Sequence, residues 1–309
     1  MKKICVVGSL NMDLVVIADR FPQPGETLSG KEFHTFPGGK GGNQAVAAGR
    51  LQADVRMVGK VGDDIYGKQL ILNLQKNGVK ADGVFVDSGV STGIAVIEVD
   101  GAGENQIVIV AGANGKLDSR FIDEQFDAML EYDIFLFQLE IPLETVVYAI
   151  KKLKEYGKTI ILDPAPARLL PDEIFNYLDY ITPNEMEITM LTGKKIRTAD
   201  DAREAGDWLR RKGVGTVILK MGKNGAYLIS DQEFSLIPGF TVNAIDTTGA
   251  GDSFNAGFGV SLARGNGLWE SVRFANAVGA LSTTAKGAQN AMPDWEQVMS
   301  FINAEVTRR

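Results

Sequence analysis

Residues 134–162 hold two uninterrupted apolar runs, Ile134-Phe135-Leu136-Phe137 and Thr159-Ile160-Ile161-Leu162, on either side of a helix-period stretch over 143–156. A short run without polar alternation is apolar on both faces, so it reads as a strand covered by helices above and below. The rhythm extends outward: helical patterning over 118–131, 198–212 and 252–263 accompanies a third run, Val217-Ile218-Leu219. Strands alternating with amphipathic helices predict an α/β fold with a doubly wound, mostly parallel central sheet and helices on both faces.

Two N-terminal segments break this rhythm. Residues 13–36 carry no helical pattern and contain the turn residues Pro22, Pro24 and Gly25. Residues 92–111 hold two β-rich runs, 93–99 and 106–110, around Asp100-Gly101-Ala102-Gly103-Glu104, the pattern of a hairpin. Together they predict a small inserted β-sheet lid on one continuous domain spanning 1–309; edge strands of the main sheet are the alternative. Both hairpin faces keep apolar residues, with Ile94, Val96, Ile107 and Ile109 grouped on one and Ile97, Val99, Val108 and Val110 on the other. A thin sheet cannot cover both faces, so a homodimer through the lid is expected.

Composition narrows the function. Hydrophobic residues make up 45% and charged residues 23%, the balance of a soluble globular chain. The net charge is −7 and pure Lys/Arg runs are short pairs such as Lys151-Lys152, which argues against nucleic acid as a partner. The single cysteine, Cys5, lies in an apolar run and reads as a buried thiol, with no disulfide or zinc spacing. The single histidine, His34, argues against Ser–His–Asp and His–metal chemistry. No run approaches the ~18–20 apolar residues of a membrane span, and the N-terminus is unlike a signal peptide, so a cytoplasmic protein without a membrane partner is expected.

The glycines cluster where chemistry is expected. In Asp246-Thr247-Thr248-Gly249-Ala250-Gly251-Asp252-Ser253-Phe254-Asn255-Ala256-Gly257, small residues lead into a helical pattern. N–H groups at such a helix start form an anion site, aided by the macrodipole. Asp252 is placed there to take a proton from an attacking hydroxyl while those N–H groups hold a transferring phosphoryl. The alternative is that it merely caps the helix. A second cluster, Pro37-Gly38-Gly39-Lys40-Gly41-Gly42-Asn43-Gln44, offers Lys40 and Asn43 for hydroxyl recognition, or is a flexible loop. Two common nucleotide motifs are absent: the one Gly-Lys-Thr, Gly157-Lys158-Thr159, has Lys152 where a Walker A loop needs its leading glycine, and Gly249-x-Gly251 is followed by Phe254 where a G-x-G-x-x-G fingerprint needs its last.

The 246–257 string resembles the C-terminal signature of the PfkB carbohydrate kinase family, and the 38–44 cluster resembles its N-terminal one. Gly8-Ser9-Leu10-Asn11-Met12-Asp13, Pro24-Gly25-Glu26-Thr27, Gln138-Leu139-Glu140, Pro164-Ala165-Pro166-Ala167, Thr182-Pro183-Asn184-Glu185 and Lys286-Gly287-Ala288-Gln289 resemble its ribose-phosphorylating members in particular. The likeness covers about residues 4 to 303, in order. It implies an ATP-dependent kinase transferring the γ-phosphoryl group to a small sugar, D-ribose giving D-ribose 5-phosphate. Kinases for deoxyribose, fructose or a keto-deoxy acid, or a catalytically silent sugar sensor, are the alternatives.

Carried over residue by residue, the resemblance implies sugar contacts at Asn11, Asp13, Gly39, Lys40, Asn43 and Glu140, with Asp252 as the base and a further sugar contact. Gly249, Ala250 and Gly251 would form the anion hole. The nucleotide would meet Asn184, Lys220, Gly222, Gly225, Gly251 and Asn276. Magnesium (Mg2+) would be held by Asn184 and Glu187 through water, although this pair could simply cap a surface helix. A monovalent cation, potassium (K+), would take Asp246 with Thr248, Ser282, Ala285 and Gly287. Three positions depart from the family: Lys220 for a frequent threonine, Asp163 for asparagine, and Ala291 for serine. The last removes a hydroxyl beside the cation site, and Asp163 is expected to leave the chemistry untouched. Dimerisation through a lid is common among such relatives.

Overall fold

Each apolar run lies in a strand, and all four residues of Ile134–Phe137 are buried. The computed structural model describes residues 1–307. Its first part runs β1 (Ile4–Val7), β2 (Asn11–Ile17), β3 (Glu32–Gly38), α1 (Lys40–Arg50), β4 (Val55–Gly62), α2 (Ile65–Lys76), β5 (Val79–Asp87), β6 (Gly93–Val99) and β7 (Asn105–Val110). There follow α3 (Ser119–Met129), β8 (Ile134–Phe137), α4 (Leu143–Glu155), β9 (Thr159–Leu162), β10 (Tyr180–Ile181), α5 (Glu185–Thr192) and α6 (Ala199–Arg211). The remainder is β11 (Thr216–Lys220), β12 (Gly225–Ile229), β13 (Phe234–Pro238), α7 (Ala250–Ala263), α8 (Leu268–Ser282) and α9 (Trp295–Thr307).

The central sheet has nine strands in the order β13-β12-β11-β10-β9-β8-β1-β4-β5. Every neighbour from β11 to β5 is parallel, and β12 and β13 finish one edge antiparallel. One face is covered by α1, α2, α7, α8 and α9, the other by α3, α4, α5 and α6. The chain leaves β1 toward β4 and β5, then returns to β8 on the other side of β1. That reversal is a topological switch point, where the carboxyl ends of the strands open a crevice. Among the described residues, no helix is long and apolar enough to cross a membrane.

The segments that break the α/β rhythm form a separate four-stranded sheet, β3-β2-β6-β7, and are not edge strands of the main sheet. β2 and β6 pair in parallel, the other two pairs antiparallel. The register corrects the sequence-based grouping of the hairpin. Val99 pairs with Asn105 across an odd-length turn, so Ile94 faces Val110, Val96 faces Val108 and Ile97 faces Ile107. Cross-strand partners share a face. Ile94 and Val96 therefore lie with Val108 and Val110, while Ile97 lies with Ile107 and Ile109. β7 is an open edge strand on which Ile107, Val108, Ile109 and Val110 are 45–64% exposed.

The helix α7 is anchored by wholly buried Phe258, whose ring meets Tyr180 edge-on at 5.2 Å between centroids. Phe258→Ala should cost about 3–5 kcal/mol through lost burial and a residual cavity. A urea titration would read this as a lower midpoint at unchanged slope; a loss under about 1 kcal/mol would show that α7 does not depend on this contact.

Candidate active site

Parallel strands point their carboxyl ends to one rim, and the segments leaving them deliver polar residues there. Ser9 follows β1, Glu140 follows β8, Asp163 follows β9, Asn184 follows β10, and Lys220 ends β11. The N-terminal ends of α1 and α7 close on this rim.

Gly249 occupies the N-cap of α7 in the left-handed region, φ 74°, and Ala250 and Gly251 open the helix. Asp252 thus stands in the first turn, not at the cap. Its carboxylate is 4% exposed and takes hydrogen bonds from Asn43 Nδ2 at 2.8 Å and Gln44 Nε2 at 3.3 Å. Both donors sit on α1, which lies tight against the segment after β1: a Cβ on Gly41 would fall 2.6 Å from the Ser9 nitrogen. Burial pushes the Asp252 carboxyl above the usual carboxylate range. The Lys40 ammonium pulls it back, while Asp163 and Glu140 add to the rise.

The other predicted sugar residues gather on the same side. Glu140 Oε2 accepts from Ser9 Oγ at 2.6 Å and from the Lys40 backbone N–H at 2.9 Å. The Asp13 carboxylate lies over Gly38, where a Cβ would come within 2.5 Å of it. Burial first, then the charges of Glu140 and Asp252, push Asp13 up to about 7. Lys40 is held protonated chiefly by Asp252, against its burial. Gly39 is the N-cap of α1 with φ 82°. The Asn11 side chain is engaged by Asn114, whose Nδ2 donates to Asn11 Oδ1 at 2.7 Å.

Ser9, Asn114, Gln44 and Gln289 join this network without having been predicted as site residues. Asn114 also brackets the Leu10 main chain, accepting from its N–H at 2.8 Å and donating to its carbonyl at 3.0 Å. Gln44 supports Asp252, and Gln289 Nε2 donates to Asn43 Oδ1 at 3.0 Å. Gln44 and Gln289 stand in strings that carry the family likeness, which was the available signal. Asn114 lies outside any such string.

The predicted nucleotide side is a cavity of about 500 Å3 next to the start of α7. Lys220, Gly222, Gly225, Gly251 and Asn276 line it. Asn276 spends its amide on the carbonyls of Ile237 and Pro238, at 3.0 and 3.2 Å. Asn184 is not in the cavity wall. It caps α5 in a reciprocal capping box: Asn184 Oδ1 accepts from the Glu187 N–H, and Glu187 Oε2 accepts from the Asn184 N–H, each at 2.8 Å. That is the capping alternative seen in the sequence. Burial raises the Glu187 carboxyl, and the nearby Lys220 charge opposes the rise. Asp163, expected only as an exchange that leaves the chemistry untouched, joins the two sides: its Oδ1 accepts from Lys220 Nζ at 2.9 Å and its Oδ2 from Gln44 Nε2 at 3.1 Å.

The predicted cation residues form a distinct loop pair beside the helix start. Asp246 Oδ1 accepts from the Thr248 N–H at 2.9 Å and from Thr248 Oγ1 at 2.7 Å, and Oδ2 accepts from the Gly287 N–H at 2.9 Å. Partial burial would raise this carboxyl, but the hydrogen bonds from Thr248 and Gly287 outweigh it and hold it below the usual range. The Ser282 hydroxyl turns back to the Gly279 carbonyl at 2.8 Å, and Ala285 is exposed. Among the described residues, no three His, Cys, Asp or Glu side chains are grouped to hold a metal.

The sequence matches the family described as pfkB family carbohydrate kinase over residues 1–295. It is 42% identical to the ribokinase of Bacillus subtilis over 98% of this chain and 100% of that one. It is also 38% identical to the deoxyribokinase of Salmonella typhi over 97% of this chain and 98% of the relative. The structure of Arabidopsis thaliana ribokinase complexed with ribose and ATP is similar with a TM-score of 0.93 at 34% identity, covering 97% of this chain and 98% of that one. With the family matched across nearly its whole length and the glycine signatures folded around one buried aspartate, the chain belongs to the PfkB family of carbohydrate kinases.

Proposed function

We propose that this chain transfers the γ-phosphoryl group of ATP to a hydroxyl of D-ribose, giving D-ribose 5-phosphate. The observation that carries the reading is the position of Asp252. It is buried one turn into α7, between a cavity on the Gly251 side and the cluster of Asp13, Lys40, Asn43 and Glu140. A hydroxyl entering from that cluster meets the carboxylate that can take its proton. The N–H groups of Gly249 and Gly251, at the positive end of the helix, would steady charge on the phosphoryl oxygens, joined by that of Ala250 if it leaves the Thr247 carbonyl to which it donates at 3.2 Å. Asn11, Asp13, Gly39, Lys40, Asn43 and Glu140 would fix the remaining hydroxyls. Gly222, Gly225 and Asn276 would border the nucleotide. Deoxyribose is the second reading, favoured by the similarity to a deoxyribokinase; ATP consumption across a panel of free sugars separates the two.

The residues named for metals fit the ions in different ways. Glu187 has both carboxylate oxygens engaged by Asn184, at 2.8 Å each, so this pair suits magnesium held through water. Asp246 stays ionised, and among the described residues no backbone N–H donates to the carbonyls of Thr248, Ser282, Ala285 or Gly287. An anionic, oxygen-lined loop suits a hard cation. A bound potassium ion supplies positive charge near the anion hole.

The small sheet is read as a lid that also joins two subunits. Asp13 pairs with Ala95, and Ala95 with Ile109, so Ile97, Ile107 and Ile109 share a face with the sugar-side carboxylate. A second copy laid on that face would bury it as an isologous contact and shield the transfer from water.

Asp252→Asn should keep the fold and sugar affinity but lower kcat by about 10²–10⁴-fold. Steady-state assays with a sugar titration would check it, and near-normal kcat would remove Asp252 as the base. Potassium should raise turnover above sodium at equal ionic strength. Equal rates in potassium, sodium and a bulky organic cation would take the cation loop out of the mechanism. Ile109→Asp should give monomers with weakened sugar binding in sedimentation and titration calorimetry. A wild type that stays monomeric at micromolar concentration defeats the shared lid.

A further inference from the structure

Lys220 and Asp163 form a nearly closed-off ion pair at the floor of the site. Their side chains are 12% and 3% exposed, and the Nζ–Oδ1 distance is 2.9 Å. Each partner arrives from the end of a parallel strand, Asp163 just past β9 and Lys220 as the last residue of β11. The Lys220 main chain is itself tied down: its N–H donates to the Pro183 carbonyl at 2.8 Å, beside a bridge to Asn184. The ammonium stands over the start of α7, where a Cβ on Gly251 would lie 3.6 Å from Nζ. Lys220 also lines the cavity read as the nucleotide site. On the far side, Asp163 Oδ2 accepts from Gln44 Nε2 at 3.1 Å, and the same nitrogen reaches Asp252 Oδ1 at 3.3 Å. Gln44 Oε1 in turn accepts from Gln138 Nε2 at 2.7 Å, which fixes the plane of the Gln44 amide.

From this chain of contacts we infer that Asp163 is a positioning residue, which aims the Lys220 ammonium at the transferring phosphoryl group and, through Gln44, holds the carboxylate of Asp252 toward the acceptor hydroxyl. The inference deepens the kinase reading above and rests on it. A buried Lys–Asp pair is a poor stabiliser, since an apolar or neutral pair of the same size usually does as well. Here the cost is offset by use. Gly249, Ala250 and Gly251 bring N–H groups to the helix start but no full charge, and their small size leaves Lys220 as the positive side chain standing over them. A phosphoryl group entering the Gly251 end of the cavity would give that ammonium its second anionic partner without moving the first. A fixed cation facing developing phosphoryl charge acts without reorganisation during transfer. The path Lys220–Asp163–Gln44–Asp252 thus joins the phosphate-facing and hydroxyl-facing halves of the site through direct hydrogen bonds.

The test is a set of variants, Lys220→Met, Lys220→Arg, Asp163→Asn and the double Lys220→Met/Asp163→Asn. Each is assayed for kcat, KM for ATP, ribose affinity by calorimetry and thermal unfolding. Lys220→Met should lower kcat by about 10²-fold and leave ribose affinity within about twofold. Lys220→Arg should recover most of that loss, because the charge is kept. Asp163→Asn should lower kcat by about 10- to 100-fold through misplacement of the ammonium. The double variant should be no slower than Lys220→Met alone, because asparagine keeps an oxygen that can accept from Gln44, and the charge it lacks acts only through the lysine. It should also unfold at or above the wild-type temperature, so it reports on the idea even where Asp163→Asn, with one buried charge left over, folds badly. Multiplicative losses in the double variant, or kcat values close to wild type in both single variants, would overturn the relay while leaving the kinase reading intact. A wild type that consumes no more ATP with any free sugar of the panel than without sugar would overturn both.

Discussion

A carboxylate removed from water must be held by donors and balanced by charge, and the architecture of this protein follows from holding Asp252 in that condition. At 4% exposed it cannot draw on solvent, so α1 supplies Asn43 and Gln44, and Lys40 supplies the positive charge. Those three groups stand within the first five positions of α1. Their placement requires the helix to begin almost in contact with the turn after β1, which is why glycine occupies position 41. Any side chain there would push α1, and the donors with it, away from Asp252.

The sheet explains why the partners come from such distant parts of the sequence. Seven parallel strands direct their carboxyl ends to one rim, and the segments after β1, β8, β9, β10 and β11 bring polar groups there. The strand order reverses beside β1, which leaves room there for a substrate instead of a covering helix. The small sheet grows out of the same place, since β2 follows β1 directly and carries Asp13 toward the crevice. The cavity proposed for the nucleotide lies on one flank, where α7 starts and the β11–β12 turn bends back. The cluster proposed to receive the sugar lies on the other, beneath the small sheet. Asp252 is at their boundary.

What the sequence disclosed followed local pattern, and what it withheld depended on pairing. Apolar runs and helical periods gave the α/β layers, and the strings at 38–44 and 246–257 marked both ends of the site. The hairpin faces could not be assigned in the same way, because the grouping depends on which residues pair across the 100–104 turn, and one residue of register exchanges the faces. The parallel pairing of β2 with β6 joins segments far apart in the chain and has no local signature. Asn184 and Glu187 spell a capping box as readily as a metal site, and their hydrogen bonds satisfy the box. Asp163 looked like a simple exchange for asparagine. Only the fold brings it beside Lys220, so its significance lay in a contact between two strand ends and not in either string.

Charge distribution gives the clearest link from this structure to its substrate. Asp13, Glu140 and Asp252 face one another with Lys40 as their shared counter-ion, and burial with this mutual repulsion pushes Asp13 up to about 7. A carboxyl whose folded value is raised keeps a proton that the unfolded chain has already released. The folded state therefore binds more protons between the ordinary carboxylate range and about pH 7, and its stability falls as pH rises through that window. Such a cluster is a poor way to stabilise a fold but a good way to receive a neutral polyol. Sugar hydroxyls are hydrogen-bond donors, ionised carboxylates are acceptors only, and a bound polyol supplies what the crowded oxygens lack. A phosphorylated sugar would add negative charge where three carboxylates already compete for one lysine. The same repulsion that weakens the empty site thus disfavours a charged acceptor there.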